Sequence, residues 1–474
     1  MTARAIGLIL GPLAFALTAL VPPPGAMPAS AWLVAGLVLW MAAWWMTEAV
    51  PLAVTALLPF VVLPLAGVST ANETAGDYYS PILFLLLGGA FVALAIERTG
   101  LHRRLSLAIL RGVGAHGGPA RLLLAFMIAA ALLSMLISNT STSLIMMPMA
   151  LAVLEGGLGK SAEGAPPRQE GIAGALPMGI AFAASIGGLG TIVGSPTNAI
   201  AVGLLDEIAG VRISFIEWSL YGVPVVVLGI PLAAWIVARV QRVGAYTFDV
   251  AAARAAIASH SRWSAPEARL SLIVALTFIG WVTQPLVAPL LPDGSWTDGT
   301  IAVIAALALF LIPDGTGRPL LVWKEADRAP WGVIFMFGGG LALAGGMQAS
   351  GLADWVGQAL LPLENWPLLL VAVAVVALVI VVTEFASNVA TATGIIPVVA
   401  ALVVALGADP VLLALPAALA ASWGFMLPAG TGPNAIAWAT GRIRIDRMIT
   451  AGALLDVAGI ALIIGVVWVI AAIT

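Results

Sequence analysis

The chain has 474 residues, 61% of them hydrophobic and only 9% charged, with a mean hydropathy of +1.08 and a formal net charge of −3. Roughly 25% charged residues is usual for a soluble protein, so this composition excludes a water-soluble globular domain and defines a polytopic membrane protein. The absence of cysteine excludes disulfides, thiol catalysis and cysteine-ligated metals, and nothing in the charge points to a nucleic-acid partner.

Apolar runs recur from end to end without the two-residue alternation of a barrel strand, so the fold class is all-α. The first spans are predicted at 5–21, 30–47, 51–68 and 80–97. The segment with Arg4, an apolar run to Leu20 and Pro22-Pro23-Pro24 imitates a signal peptide. It also opens a regular series of spans, and is read as an uncleaved first helix. At 121–155 the pattern changes: Ser138-Asn139-Thr140-Ser141-Thr142-Ser143 separates two apolar segments, Leu122–Ile137 and Leu144–Leu154. Each is shorter than the roughly 20 residues that cross a bilayer. Backbone at such a polar tip is satisfied only inside protein or beside a water-filled cavity, which predicts a re-entrant hairpin of two half-helices.

A span at 173–193 follows, with a broken continuation at 198–208, because Gly187-Gly188-Leu189-Gly190-Thr191 and Gly194-Ser195-Pro196 cannot stay helical across a membrane. Further spans are predicted at 213–238, 268–290, 299–313 and 331–349. A second hairpin at 367–407 carries the tip Glu384-Phe385-Ala386-Ser387-Asn388-Val389-Ala390-Thr391, and a broken span at 411–440 and a last span at 448–472 complete the chain. With the hairpins left out, about 11 crossings remain, and the termini face opposite sides. With the N-terminus in the cytoplasm, 19 of the 20 Lys and Arg fall on the cytoplasmic side, clustered at Arg98–Arg121, Lys160–Arg168, Arg239–Arg269, Arg318–Arg328 and Arg442–Arg447; only Arg212 falls outside. This assigns a multi-pass protein of an inner membrane, N-terminus cytoplasmic and C-terminus periplasmic.

The two halves match. Gly100-Leu101 corresponds to Gly351-Leu352 (351 − 100 = 251), Asn139 to Asn388 (388 − 139 = 249) and Asn198-Ala199-Ile200 to Asn434-Ala435-Ile436 (434 − 198 = 236). The first copy enters from one side and the second from the other, so the chain is read as one transporter domain, 1–474, of two inverted repeats at about 30–238 and 268–472, with its site near their interface.

Each half offers a hairpin tip and a broken helix. Carbonyls, hydroxyls and Asn amide oxygens are hard ligands for an alkali cation, and half-helix N-termini favour an anion. No Lys or Arg lies in either tip or break, so a bound anion depends on bound cations and dipoles, a physical reason for coupled transport. Ser and Thr in membrane helices commonly bond back to a carbonyl or pack against a neighbour, but two copies at matched positions favour a site. Glu384 is an intramembrane acid that is either functional or holds the hairpin arm by accepting backbone N–H bonds. For Glu48, at a span end, a structural role is simpler; Asp456 is either a packing partner or a relay group. The tryptophans read mostly as interfacial anchors, and Gly88-Gly89 and Gly338–Gly340 as close helix packing. All three histidines (His102, His116 and His260) lie in hydrophilic stretches, which argues against a metal cluster or proton relay. No Walker-type sequence is present to bind ATP.

Thr47-Glu48-Ala49-Val50-Pro51, Ser138-Asn139-Thr140, Gly187-Gly188-Leu189-Gly190-Thr191, Thr383-Glu384-Phe385-Ala386-Ser387-Asn388 and Pro433-Asn434-Ala435-Ile436 together resemble the divalent anion/sodium symporter family, which includes sodium-coupled dicarboxylate, citrate and sulfate carriers. The resemblance covers nearly the whole chain. It implies an elevator-type homodimer with no cofactor beyond sodium as coupling ion, held at two sites or more: Ser134, Ser138, Asn139 and Gly194 in the first, Thr383, Ala386, Asn388 and Gly430 in the second. Substrate carboxylates are expected at Ser138, Asn139, Thr140, Ser387, Asn388 and Thr431, with Ser195, Pro196, Val389 and Gly432 beside them. Val389 departs from members that place a hydroxyl there, and Ser195-Pro196-Thr197 and Thr431-Gly432-Pro433 stand where many members have Thr-Pro-Pro. The expected function is sodium-coupled uptake of C4-dicarboxylates such as succinate, malate or fumarate. Sodium-independent exchange, and sulfate or tricarboxylate transport, are the alternatives within the class. An anion channel or a membrane enzyme fits less well, the latter for want of a Cys or a membrane-embedded His.

Overall fold

The computed structural model describes residues 2–114, 117–158, 169–255 and 263–473; the basic stretch Lys160–Arg168, His116 and His260 lie outside the described residues. Within these residues the regular structure is helical, apart from one isolated bridge between Pro313 and Pro319. Ten of the described helices are long and apolar enough to cross a membrane, and Leu52–Leu65, Pro119–Ser134, Ile172–Gly188, Asp298–Leu311 and Pro410–Ala420 are shorter apolar pieces. The chain is an all-helical, multi-pass membrane protein.

Most expected spans appear within a few residues of their predicted bounds. The expected span 51–68 instead divides into Leu52–Thr55 and Leu58–Leu65. Pro59 at the start of the second piece has no N–H to donate and its ring crowds the preceding turn. Two amphipathic helices, Leu101–Gly114 and Leu352–Leu360, were not resolved from hydropathy, because an apolar stripe on one face averages away along the chain. Each follows a glycine with φ of 78°, Gly100 and Gly351. That left-handed conformation turns the chain out of the preceding helix at little cost only without a Cβ. Glu48 ends Ala29–Thr47 in the same way, at φ 45°, with its side chain exposed, which is a structural role.

The largest core cluster surrounds Ile172–Gly188, every residue of which is buried. A helix buried on all sides is enclosed by protein rather than lipid, and here Pro119–Ser134, Asn139–Leu158, Phe215–Val240 and Gly432–Ala439 pack on it. The approach is close at Gly187, where a Cβ would stand 2.4 Å from the Ala131 backbone. Gly88 against Ala302 and Gly339 against Ala56 pack equally tightly, at 2.6 and 2.3 Å. A few of the 16 tryptophans pack inside the protein. Trp218, Trp281 and Trp423 are fully buried, each indole N–H donating to a carbonyl, those of Leu189, Asp298 and Leu455. A buried indole is stable once its single donor is satisfied.

In the loop after Asp298–Leu311, the buried Asp314 pairs with Arg98 from Pro81–Thr99, and the same guanidinium donates to Leu320 O. The Arg98 and Thr316 hydrogen bonds hold the Asp314 carboxyl well below the usual carboxylate range.

Candidate functional site

The first polar tip interrupts the helix at 135–138, between Pro119–Ser134 and Asn139–Leu158. Ser138 caps the second arm: its Oγ accepts from Ser141 N at 3.2 Å and donates to Ser141 Oγ at 3.0 Å. The second tip interrupts at Ala386 and Ser387, between Leu368–Phe385 and Asn388–Leu406, and Ser387 caps its arm by accepting from Ala390 N at 3.2 Å. The first break runs from Leu189 to Ser195, with one 3-10 turn at Ile192–Gly194; the second takes residues 421–431.

The two halves repeat the same hydrogen bonds. Ser134 Oγ lies 2.8 Å from the Asn139 amide and donates to Ala184 O at 2.6 Å. Thr383 Oγ1 donates to Asn388 Oδ1 at 3.0 Å and to Ala421 O at 2.8 Å. Asn198 Nδ2 donates to Gly188 O and Thr191 O, at 2.7 and 2.8 Å, as Asn434 Nδ2 does to Leu427 O at 3.1 Å. Thr191 and Thr431 each accept the N–H three residues on.

These contacts bring most of the expected cation ligands together, while Ser138 Oγ bonds to Ser141. In the first half, the end of the Asn139 amide stands 2.8 Å from Ser134 Oγ and 3.2 Å from both Ala184 O and Gly194 O. An amide oxygen turned to this point joins a set of oxygens that a small hard cation reconciles, and in that orientation the set suits an alkali ion; an amide nitrogen turned there donates to the same oxygens and closes the point with protein hydrogen bonds. Gly188 makes room, since a Cβ on it would lie 2.2 Å from the Asn139 amide oxygen. In the second half, Thr383, Asn388 and Ala421 O converge, Gly430 lies against the Thr383 and Glu384 carbonyls, and Ala386 stands in the tip between the two arms. Ala184 and Ala421 were not singled out from sequence. Their signal was the repeated Ala-Ala-Ser of 183–185 and 420–422, offset 421 − 184 = 237.

Between the tips lies one cavity of about 310 Å³. Ser138, Asn139 and Thr140 line it from the first tip and Ser387, Asn388 and Val389 from the second, while Ser195, Pro196, Thr431 and Gly432 contribute from the breaks. All ten expected substrate-contact residues therefore share it. Pro330 and Val333 also line it, from the start of Trp331–Ala349. Sequence reasoning missed them because nothing polar marks them. Four helices begin at lining residues: Asn139–Leu158, Pro196–Ala209, Asn388–Leu406 and Gly432–Ala439. Each N-terminus carries about half a positive charge, so their convergence favours an anion. Among the described residues, no Lys or Arg lines the cavity.

Glu384, 1% exposed, accepts from Met426 N at 2.9 Å and Leu427 N at 3.0 Å, so it holds the hairpin arm to the second break. In the first half a hydroxyl does this work: Thr191 Oγ1 donates to Met135 O at 2.7 Å. Asp456 is buried on Ile445–Ala471, where it faces the Glu384 carboxyl and the Phe425 backbone.

Interrupted helices meeting tip to tip around a small anion-favouring cavity define a membrane carrier. The chain belongs to the family described as "Sodium:sulfate symporter transmembrane region", whose profile matches residues 3–473. It is 38% identical over 478 residues to a sodium-dependent dicarboxylate transporter of Staphylococcus saprophyticus, covering 98% of this chain and 90% of that one. A transporter of the same description from Staphylococcus aureus is 38% identical over 485 residues, covering 99% and 91%. The crystal structure of the Alcanivorax borkumensis YdaH transporter shares the fold, with a TM-score of 0.55 over 99% of this chain and 98% of that one at 16% identity. As a member of a transporter family, the protein is not an enzyme.

Proposed function

We propose that this protein is a sodium-dependent symporter of C4-dicarboxylates such as succinate, malate or fumarate. The observation that carries the reading is the cavity between the two Ser-Asn tips, lined by four helix N-termini but, among the described residues, by no fixed cation. Its volume of about 310 Å³ sits at the small end of ligand pockets. A dianion placed there gains from the helix ends, and sodium ions on Ser134, Ser138, Asn139 and Gly194 and on Thr383, Ala386, Asn388 and Gly430 balance its charge. Ala184 O and Ala421 O complete these two sites. The names of the Staphylococcus relatives support the same substrate and ion.

The finer architecture follows on the same reading. The repeated hydrogen bonds support two inverted repeats, each a re-entrant hairpin with a broken helix. In the proposed topology, with the N-terminus in the cytoplasm of an inner membrane and the C-terminus in the periplasm, Pro330 follows the basic cluster Arg318–Arg328 on the cytoplasmic side. The start of the repeat-related helix, Pro81–Thr99, does not line the cavity. The tips therefore lie against the cytoplasmic wall, an inward-facing state, and an elevator movement carries them toward the Pro81 side. The working unit is a homodimer embedded in lipid.

Labelled succinate uptake into proteoliposomes, under an inward gradient of sodium, lithium, potassium or protons in turn, tests the proposal. Uptake driven by sodium is expected. Uptake indifferent to the cation but stimulated by internal dicarboxylate overturns it in favour of exchange, and displacement by sulfate or citrate but not malate overturns the substrate class.

A further inference from the structure

Besides Ser143 Oγ, whose repeat position holds Ala392, six buried side-chain oxygens near the tips lack a protein hydrogen-bond partner among the described residues: Thr142 Oγ1, Ser185 Oγ, Asn198 Oδ1, Thr391 Oγ1, Ser422 Oγ and Asn434 Oδ1. All are 0% exposed except Thr391, at 2%. They are three repeat-related pairs: 391 − 142 = 249, 422 − 185 = 237 and 434 − 198 = 236, the offsets that relate the tips, the Ala184 and Ala421 carbonyls, and the breaks. A buried polar atom left unpaired costs free energy, and finding the same three unpaired in each half points to a shared purpose.

Helix packing sorts the six into two groups that cross between the halves. Asn139–Leu158, Ile172–Gly188 and Gly432–Ala439 pack mutually, and they carry Thr142, Ser185 and Asn434. Asn388–Leu406, Pro410–Ala420 and Pro196–Ala209 also pack mutually; they carry Thr391 and Asn198, and Ser422 follows directly on Ala420. Local geometry agrees. Thr142 lies three residues after Asn139, on the helix face whose Asn139 amide reaches Ala184 O, and Ser185 adjoins Ala184. Thr391 stands in the same relation to Asn388, and Ser422 adjoins Ala421, which shares the Thr383 hydroxyl with the Asn388 amide. On the Asn434 side, a Cβ on Gly432 would meet Thr140 Oγ1 at 2.5 Å, so the second break touches the first tip.

We propose that the triads Thr142/Ser185/Asn434 and Thr391/Ser422/Asn198 each bind one water molecule, and that these waters couple the two cation sites. Two hydroxyls and an amide oxygen suit one water, which makes about three hydrogen bonds to otherwise unsatisfied buried groups. Each water ties the turn after one half's binding Asn to the helix that leaves the other half's break. Ordering one cation site then tightens the helix that bounds the other. These six are positioning residues, and the coupling rests on the proposed assignment of the tips as sodium sites.

The experiment is the sodium activation curve of succinate uptake for the full-length protein in proteoliposomes, wild type against Thr142→Val, Thr142→Ser, Thr391→Val and Thr391→Ser, with thermal stability measured beside it. Loss of a water-bridged hydroxyl leaves the Asn oxygen unpaired. The valine variants should therefore need at least about three-fold more sodium for half-activation and show a lower Hill coefficient, with serine restoring both. Valine variants as stable as wild type or more so, with unchanged sodium curves, overturn the proposal, because removing a truly unpaired hydroxyl is neutral or favourable. If the valines do not fold, Ser185→Ala and Ser422→Ala probe the same waters from the opposite wall with the same two outcomes. A wild-type curve without sodium activation would instead defeat the symport reading itself, so the two failures are distinguishable.

Discussion

The two halves build the same site with different latches. Both set a hydroxyl against the tip Asn amide and a carbonyl from the leading half of the broken helix, Ser134 with Ala184 and Thr383 with Ala421. The first half ties its tip to its break with one neutral bond, from Thr191 to Met135 O, whereas the second uses a carboxylate, Glu384, that accepts two N–H groups. Where the first has Gly188 beside Asn139, the second has Phe425 (425 − 188 = 237). The constant part is the oxygen set proposed to meet an ion; the variable part holds the break in place, which chemistry can do in more than one way.

The largest effect should come from the constant part. Asn139→Ala and Asn388→Ala are each expected to abolish sodium-driven uptake while the protein still folds, read as uptake against the yield of monodisperse protein. Undiminished uptake in either would separate the halves and remove that tip from the site. Gly188→Ala should mimic Asn139→Ala, since its Cβ would stand 2.2 Å from the Asn139 amide oxygen.

The latches should differ next. Glu384→Gln loses a charge-assisted pair of bonds, each class worth about 1.5–3 kcal/mol, whereas Thr191→Val loses one neutral bond of about 0.5–1.5 kcal/mol. Thermal unfolding should rank Glu384→Gln below Thr191→Val, and the reverse order would mean that the carboxylate is not the stronger latch.

A smaller effect is expected where the halves are joined. The Asp314 carboxyl is held below its usual range by Arg98 and Thr316, so this clasp contributes fully above the ordinary carboxylate pKa, roughly 4, and is lost only as pH falls through the lowered folded value. Asp314→Asn should therefore lower the melting temperature by a constant amount from neutral to mildly acidic pH, with the gap to wild type closing only in strong acid. A gap that widened on acidification would contradict the pairing. The smallest change is Val389→Thr, which gives the second tip the hydroxyl that Thr140 supplies to the first. It should shift the ranking of succinate against malate in competition without altering sodium dependence.

Much of the site was legible along the chain because it depends on local chemistry. Six small polar residues between two apolar half-spans cannot lie in lipid, and Gly-rich and Pro-containing stretches cannot continue a helix, so tips and breaks announce themselves. The Glu384 alternatives were also readable, and the two N–H bonds at the break decided for the holding role. Pro330 and Val333 were not legible, since an apolar wall residue looks like any lipid-facing one, nor were Ala184 and Ala421, which contribute only backbone oxygens.

Composition, break residues and the repeat offsets thus determined by themselves that this is an all-helical membrane protein with two matched polar tips. Only the tertiary structure decided that the tips face each other, that four helix N-termini point at one cavity, and that each half's break packs against the other half's tip. The reason is physical. Whether a segment can remain helical or lie in lipid depends on its own side chains and backbone, whereas which carbonyl meets which amide depends on how distant helices pack, and no single stretch of chain carries that.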